Sequence, residues 1–170
     1  MCHRRAHSLG GSVITFTIPS EPVGKGRPRA TTIGGHARLF TPEKTRQWER
    51  LAADIMVLTW RRTPDCKGQG PIALPVRVVV EAVCARPKRL LPRSMGGTLP
   101  KASVLSTGRL WRAQKPDADN VAKAALDALV MAGVILDDVQ VVEVTARSLF
   151  AAIGEAPSVT VHLSLIEGDP

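Results

Sequence analysis

Residues 115–143 read KPDADNVAKAALDALVMAGVILDDVQVVE, and the pattern of this stretch decides how the chain folds. Alanine, valine and leucine recur at helical spacing over 117–132, and Gly133 is placed to end the helix that they predict. An aspartate pair, Asp137-Asp138, then interrupts residues that favour strands. The stretch therefore predicts a helix, a sharp turn and a return of the chain in extended form.

The rest of the chain adds further strands and a second helix. The patterns predict strands at 13–18, 75–85, 134–136, 139–144 and 158–166, a hairpin of 30–33 and 37–40, and a helix with Thr41 as N-cap and Pro42 as its first residue that runs to about Trp60. This mixture predicts an α/β (α+β) fold in a single domain over 12–170, with a mixed β-sheet flanked by two main helices. Residues 1–11 are expected to form a disordered tail.

Charge is divided unevenly along the 170 residues, whose net charge is +8. The first 116 residues hold 21 basic and six acidic residues, whereas the remainder holds two basic and nine acidic ones. This asymmetry favours a nucleic acid or another polyanion as the partner, with a merely solvated basic surface as the alternative. The chain has three Trp, three Phe and no Tyr, so base stacking on an aromatic platform is not expected to dominate binding.

Cysteine usage and hydropathy bear on the compartment. The three cysteines are odd in number and widely spaced, which fits neither a disulfide framework nor a zinc site built from cysteine pairs. No apolar run approaches the roughly 20 residues of a membrane span. We therefore expect a reduced, cytoplasmic setting without a membrane partner.

Two acids and an amide, Asp117, Asp119 and Asn120, stand where the predicted helix begins. Helix capping alone could explain one of them, but capping needs only one acid. Lys123 and Asp127 continue the face of Asp119 at i+4 and i+8, where an ordinary surface ion-pair ladder is the alternative. The excess of acids indicates that some of them bind a cation.

Chain geometry connects this helix start with the later aspartate pair. A helix of about 15 residues carries the chain about 22 Å, and about five extended residues return it about 17 Å. We therefore expect one residue of the pair, either Asp137 or Asp138, beside Asp117 and Asp119, because neighbouring strand residues face opposite sides. Three converging carboxylates repel one another, so a site for Mg²⁺, or for Mn²⁺ in its place, is predicted. Lys123 would orient water or stabilise phosphate charge there.

Two basic segments are candidates for contacts with a phosphate-bearing partner. One contains Gly24-Lys25-Gly26-Arg27-Pro28-Arg29, which lacks the P-loop pattern but lets the backbone approach phosphates; a simple basic turn is the alternative. The other, residues 86–115, is expected to be a mobile basic loop that orders on a partner, or else a disordered insertion. The expected DNA-binding residues are Lys25, Arg27, Arg29, Arg86, Lys88, Arg89, Arg109, Arg112 and Lys115.

One motif joins these observations: Lys115-Pro116-Asp117-x-Asp119-Asn120-x-x-Lys123-x-x-x-Asp127-Ala128-Leu129, then Gly133 and Asp137-Asp138-x-Gln140-Val141. It resembles the signature of RusA-type Holliday junction resolvases, which are crossover junction endodeoxyribonucleases. The basic loop and Phe40-Thr41-Pro42 are similar to phage and prophage members of that family.

The resemblance implies a RusA-like fold and a homodimeric endonuclease that uses Mg²⁺ or Mn²⁺. It implies paired phosphodiester cuts in four-way DNA junctions during recombination and repair. By position, the three metal-binding aspartates of the family fall on Asp117, Asp119 and Asp138, and its essential lysine falls on Lys123.

Two other functions are compatible with these residues. In a non-catalytic nucleic-acid-binding module, the acids would only cap and brace the helix. A cluster of acids opposes that hypothesis, because it weakens attraction to DNA unless a cation neutralises it. A metal-dependent nuclease for other branched DNA or for RNA would use the same chemistry, and only a comparison of substrates separates it from a junction resolvase.

Overall fold

A computed structural model describes residues 13–26, 29–33, 36–100 and 106–166, and only the backbone of 29–33 and 36–40. The strands are β1 (Ile14–Ile18), β2 (Arg29–Ile33), β3 (His36–Phe40), β4 (Val76–Cys84), β5 (Leu110–Trp111), β6 (Val141–Phe150) and β7 (Ser158–Leu165), and the helices are α1 (Glu43–Arg62) and α2 (Ala118–Met131). The predicted tail, residues 1–11, lies outside the described ranges. No helix within those ranges is long and apolar enough to cross a membrane.

Five strands form one mixed sheet in the order β1-β7-β4-β6-β5, and β2 pairs with β3 in the predicted hairpin. The central strand β4 is antiparallel to β7, with Val80 opposite Val161, and parallel to β6, with Val78 opposite Val144. A run of valines in β4 suits a strand with neighbours on both sides. The predicted fold class, a mixed sheet with two main helices, is confirmed.

Both helices cover the same face of the sheet. In β4 the side chains of Val76, Val78 and Val80 are buried in the core shared with α1 and α2. The other face is polar, and ion pairs such as Arg77 to Glu143 at 2.7 Å join β4 to β6 there. The period of two along each strand therefore separates an apolar face from a solvated one.

The helix α2 lies in the connection between the parallel strands β4 and β6, so it runs antiparallel to β6. At the start of α2, Arg112 donates hydrogen bonds both to the carbonyl of Pro116 and to the hydroxyl of Ser148 in β6. At the other end, Gly133 has a φ of 65° and terminates the helix, as the sequence predicts. Consequently, α2 begins beside the carboxyl end of β6 and ends beside its amino end.

Three local expectations were wrong. The N-cap of α1 is Pro42, with a ψ of 140° and no side-chain capping bond, so the helix begins at Glu43 and Thr41 does not cap it. Residues 134–136 form no strand, because only Ile135 pairs, in a single bridge with Ile72. The aspartate pair also lies outside a strand: Asp137 caps a 3₁₀ helix, Asp138–Gln140.

The basic stretch 86–115 has regular local structure in its described part. It contains the 3₁₀ helices Lys88–Leu90 and Arg93–Met95 and the short strand β5. Backbone hydrogen bonds from Thr98 N to Lys88 O and from Leu99 N to Leu91 O tie its first half together. Its mobility and its ordering on a partner stay predictions.

Candidate active site

The start of α2 presents two exposed carboxylates. Asp117 is the N-cap residue, with extended backbone, but its side chain makes no capping hydrogen bond. Instead, Asn120 Nδ2 donates to Asp117 Oδ2 over 3.5 Å, and Lys123 Nζ lies 3.3 Å from Asp119 Oδ2. The explanation that these acids serve only as caps is thus unsupported at Asp117, whose oxygens remain available for a ligand.

Arg112 organises the turn that leads into α2. Its guanidinium donates to the carbonyls of Gln114 and Pro116, at 2.7 and 3.0 Å, and to that of Lys115. The same group lies over the ring of Phe150, 5.8 Å from its centroid. These contacts hold the residues before Asp117 against the end of β6. Arg112, an expected DNA-binding residue, therefore makes structural contacts within the chain.

A cleft of about 720 Å³ lies against the start of α2, lined by Gly24, Lys25, Lys115, Pro116, Asp117 and Asn120. Lys25 N donates to Asn120 O over 2.7 Å, which brings the loop onto the helix. A Cβ added at Gly24 would lie only 2.9 Å from Pro116 Cβ, a contact that ordinary side chains do not make. Glycine at this position therefore permits the close approach that forms the cleft.

A second cleft, of about 520 Å³, lies along the later part of α2. It is lined by Lys25, Glu49, Asp127, Val130, Met131, Asp137 and Asp138. Val139 N–H donates to Asp137 Oδ1 over 3.0 Å, which helps to keep the pKa of Asp137 below its ordinary range. A hydrogen bond with Asp137 raises the pKa of Asp138, and slight burial and the charges of Asp137 and Asp127 raise it further.

The predicted convergence of three carboxylates within one chain was wrong. Asp117 lines the first cleft and Asp138 the second, and among the described residues no group of three or more His, Cys, Asp and Glu side chains could hold a metal ion. The reason is local: residues 134–140 form a bridge and a 3₁₀ helix near the end of α2, and the chain turns back only with β6. Asp137 and Asp138 line one cleft together, so the pair is not divided between opposite faces as a strand would require.

Lys25 is the residue that the two clefts share. Its ammonium forms ion pairs with Glu49 Oε1 at 2.8 Å and with Asp127. Burial opposes the charge of Lys25, but hydrogen bonds and attraction from Asp127 and Glu49 outweigh it and raise its pKa. Asp127 therefore pairs with Lys25 rather than with Lys123, and the predicted ladder along α2 is confined to the pair of Lys123 with Asp119.

The other expected DNA-binding residues fall into three groups. Arg86 is 8% exposed and donates to carbonyls of Ala151, Ser106 and Gly108, while Arg109 pairs with Glu155 at 2.6 Å. Lys88, Arg89 and Lys115 are exposed and fit a contact surface. Arg27 and the side chain of Arg29 lie outside the described residues. Arg86 and Arg109 therefore have structural partners that their basic character alone did not reveal.

Glu49 was missed in the sequence. It is 4% exposed on the face of α1 that also buries Thr45, Trp48 and Ala52. A charged residue in register with a buried helical stripe is the signal that could have found it, because such a residue needs a paired partner.

Comparison with known families identifies the class of protein to which this fold and these acids belong. The family model described as "Endodeoxyribonuclease RusA" matches residues 19–164, most of the chain. The chain therefore belongs to the RusA family, and it is a nuclease; the family acts on Holliday junctions.

A relative in Bacillus subtilis (strain 168) is also similar to this chain over most of its length. It is named "Uncharacterized protein YqaN", is 29% identical over 150 residues, and the match covers 88% of this chain and 94% of the relative. The similarity therefore spans nearly the whole of both chains, although the name of the relative describes no activity.

Proposed function

We propose that this protein is a metal-dependent, homodimeric endonuclease that resolves four-way DNA junctions by paired phosphodiester cuts in recombination and repair. The observation that carries the proposal is the start of α2, where Asp117 and Asp119 are exposed beside Lys115 and Lys123 in a member of the RusA family. Carboxylates for a cation and amines for phosphates are the groups that a phosphodiesterase needs.

The donor chemistry of these acids fits Mg²⁺ or Mn²⁺, which prefer oxygen ligands. Asp117 and Asp119 would hold the metal, with Asp138 as a third ligand, and the metal would activate water and offset charge on the phosphate. Lys123, one turn from Asp119, would help to stabilise that charge. Because a single chain does not bring Asp138 to the other two, the donor set is incomplete without a second copy.

An open sheet edge supports the second copy. Within the described residues, β5 pairs with β6 only at Leu149 and Phe150, so β6 has no partner on that side from Val141 to Arg147. Exposed apolar side chains lie on this strand, at Val142 and Val144, and on the segment that leads into it, at Leu136 and Val139. An edge of this kind favours pairing with another strand.

Alternate residues of β6 point their backbone hydrogen-bonding groups toward the open edge, and this pattern sets the register in which two copies of β6 would pair antiparallel. Ser148 O accepts from Arg112 N on the open side, so the backbone groups of Val142, Val144 and Ala146 point the same way. A two-fold axis at Val144 would pair Val142 with Ala146 of the partner subunit and would bring Glu143 diagonally near Arg147 of the partner subunit. The strand is therefore self-complementary in hydrogen bonds, aliphatic contacts and charge.

This arrangement supplies the missing ligand. Antiparallel pairing brings the amino end of one β6 to the carboxyl end of the other, and Asp138 precedes the amino end. Asp138 of the partner subunit would thus approach the start of α2, where Asp117 and Asp119 lie. A symmetric dimer would have two such composite sites, one for each strand to be cut.

The test compares cleavage of a synthetic four-way junction with that of a linear duplex and an RNA junction, each with Mg²⁺ and with EDTA. We expect paired cuts in the DNA junction that require Mg²⁺, and a loss of about 100-fold or more in Asp119→Asn, by analogy with losses at metal sites. Asp54→Asn, an exposed acid on α1, serves as the control. Junction binding without metal-dependent cutting would instead indicate a non-catalytic binding module.

A further inference from the structure

A partly buried group of ion pairs, centred on Lys25, joins the basic loop to both helices. Lys25 Nζ lies 2.8 Å from Glu49 Oε1 of α1, and the Glu49 side chain is only 6% exposed. The same ammonium pairs with Asp127 of α2, whose side chain is more exposed. A carboxylate as buried as Glu49 is costly without a cation beside it, so this contact cannot be released cheaply.

The backbone around Lys25 is fixed to the same two helices. Thr45, which is buried, accepts from Gly26 N over 3.3 Å and donates to Gly24 O over 3.4 Å. Lys25 N bonds Asn120 O at 2.7 Å, next to Asp119 and one turn from Asp117. The Gly24–Gly26 loop therefore connects the start of α1 with the start of α2.

We propose that Lys25 is a positioning residue of the nuclease site and does not bind DNA phosphate, an inference that rests on the proposed function. Through Glu49 and Asp127 it holds the loop and α2 in place, so that the cleft at Asp117 keeps its shape. A phosphate that took the Lys25 ammonium would leave Glu49 buried and unpaired, whereas exposed Lys115 lines the same cleft without such a penalty.

The first test measures urea unfolding, which requires no nuclease activity. Lys25→Met should be strongly destabilised because it leaves the Glu49 charge unpaired, and adding Glu49→Gln should restore much of the lost stability. Lys25→Arg should unfold close to the wild type. If the effects of Lys25→Met and Glu49→Gln simply add, the pair does not have the proposed role.

The second test uses junction binding in EDTA at several salt concentrations. Lys115→Met, a matched loss of one charge at the cleft, should lower the slope of log K against log salt by about 0.9. Lys25→Met/Glu49→Gln should keep the wild-type slope. An equal loss of slope in the double variant would show that Lys25 contacts phosphate and would overturn the inference.

The third test separates positioning from simple stability. At a temperature where it is fully folded, Lys25→Met/Glu49→Gln should cut junctions with a kcat at least about tenfold lower and an unchanged KM. Lys25→Arg should recover most of the rate. An unchanged kcat in the double variant would overturn the positioning role. A wild type that cuts no junction would contradict the proposed function alone, because the unfolding test still decides whether Lys25 and Glu49 are coupled.

Discussion

Asp117 and Asp138 lie at opposite ends of β6 in one chain. Asp138 begins the 3₁₀ helix that leads directly into Val141, whereas Asp117 follows Pro116, whose carbonyl shares the Arg112 guanidinium with Ser148. The strand from Val141 to Ser148 extends about 23 Å, at roughly 3.3 Å per residue. Any single metal site that uses both aspartates therefore needs two chains.

Subunit mixing tests this consequence. Asp117→Asn and Asp138→Asn should each abolish cutting as homodimers, because every composite site lacks one ligand. After the two variants are unfolded together and refolded, mixed dimers should regain activity, since one site then combines intact Asp117 with intact Asp138 of the partner subunit. The second site carries both substitutions, so the expected product is a junction nicked in one strand.

The nicked product and its yield distinguish a site shared between two chains from a site formed within one chain. About half of the dimers in an equal mixture should be mixed, by random pairing of two chain types in a two-fold dimer. A mixture of Asp117→Asn with Asp119→Asn serves as the control and should stay inactive, because both ligands belong to the same half of the site. No recovery in the first mixture would place all three aspartates in one chain.

The sequence predicted α2, its end at Gly133 and its acids, because helical periodicity and a glycine terminator are local signals. It failed for Asp138 because the return path depended on residues 134–138 being extended. The capping of the 3₁₀ helix by Asp137, in which Gln140 accepts from the Asp137 N–H at 3.0 Å, keeps them near the end of α2 instead. A short polar side-chain bond thus outweighed the strand propensity of the valines around it.

Cross-linking tests the β6 pairing. In a Cys2→Ser background, Val144→Cys should form a disulfide between subunits under mild oxidation, because a residue on the two-fold axis faces its own copy at about 5.5 Å between Cα atoms. The remaining cysteines, Cys66 and Cys84, are buried. Non-reducing electrophoresis measures the linked dimer.

Val142→Cys is the matched control for the register. It lies on the same face of β6, but its copies would stand four residues apart, about 13 Å, which is too far for a disulfide. We expect no cross-link from it. A cross-link from Val142→Cys and none from Val144→Cys would show that the two-fold axis does not lie at Val144. A monomeric protein in light scattering would show that two copies do not pair through β6.

Substitution of Arg112 should damage both stability and activity. Arg112→Met removes donors to the carbonyls of Gln114, Lys115 and Pro116, and bonds from a charged group contribute about 1.5–3 kcal/mol. We expect a loss of about 2 kcal/mol in the free energy of unfolding and slower cutting, because the residues before Asp117 lose their anchor. Arg112→Lys should recover little of the lost stability or activity, since one ammonium cannot replace a planar guanidinium that donates to several carbonyls at once.

Exposed Arg89→Met is the control for Arg112, since it removes an equal charge. It should leave the unfolding free energy unchanged and should weaken junction binding instead. If Arg112→Met weakened binding without loss of stability, Arg112 would be a DNA contact and not an anchor.

The basic residues show why charge alone could not assign partners. Arg86 and Arg109 lie in a stretch without acids, so the sequence favoured a DNA contact for both. Each also contacts a group beyond that stretch: the carbonyl of Ala151 for Arg86, and the carboxylate of Glu155 for Arg109. Such contacts depend on how the sheet brings the segments together, which no local pattern encodes.

Acid should weaken the tie between Arg109 and Glu155. A hydrogen bond from Arg109, and another from Ala152 N–H at 2.7 Å, lower the pKa of Glu155. A carboxylate with a depressed pKa stabilises the fold above its unfolded pKa of about 4.3, and that stability is lost as the pH falls through the lower folded value. Glu155→Gln should therefore cost about 0.2–1 kcal/mol at pH 7, typical of a partly exposed pair.

Urea unfolding of the wild type and Glu155→Gln at pH 7 and pH 3 measures this effect. The difference between the two proteins should be largest at pH 7 and should shrink at pH 3, because the stability from the lowered pKa is lost progressively below the unfolded pKa of about 4.3. Glu43→Gln, in an exposed pair with Arg46 on the first turn of α1, should show a smaller difference at pH 7 because both of its side chains are more exposed. A difference for Glu155→Gln that is the same at both pH values would show that packing, and not charge, joins Glu155 to Arg109.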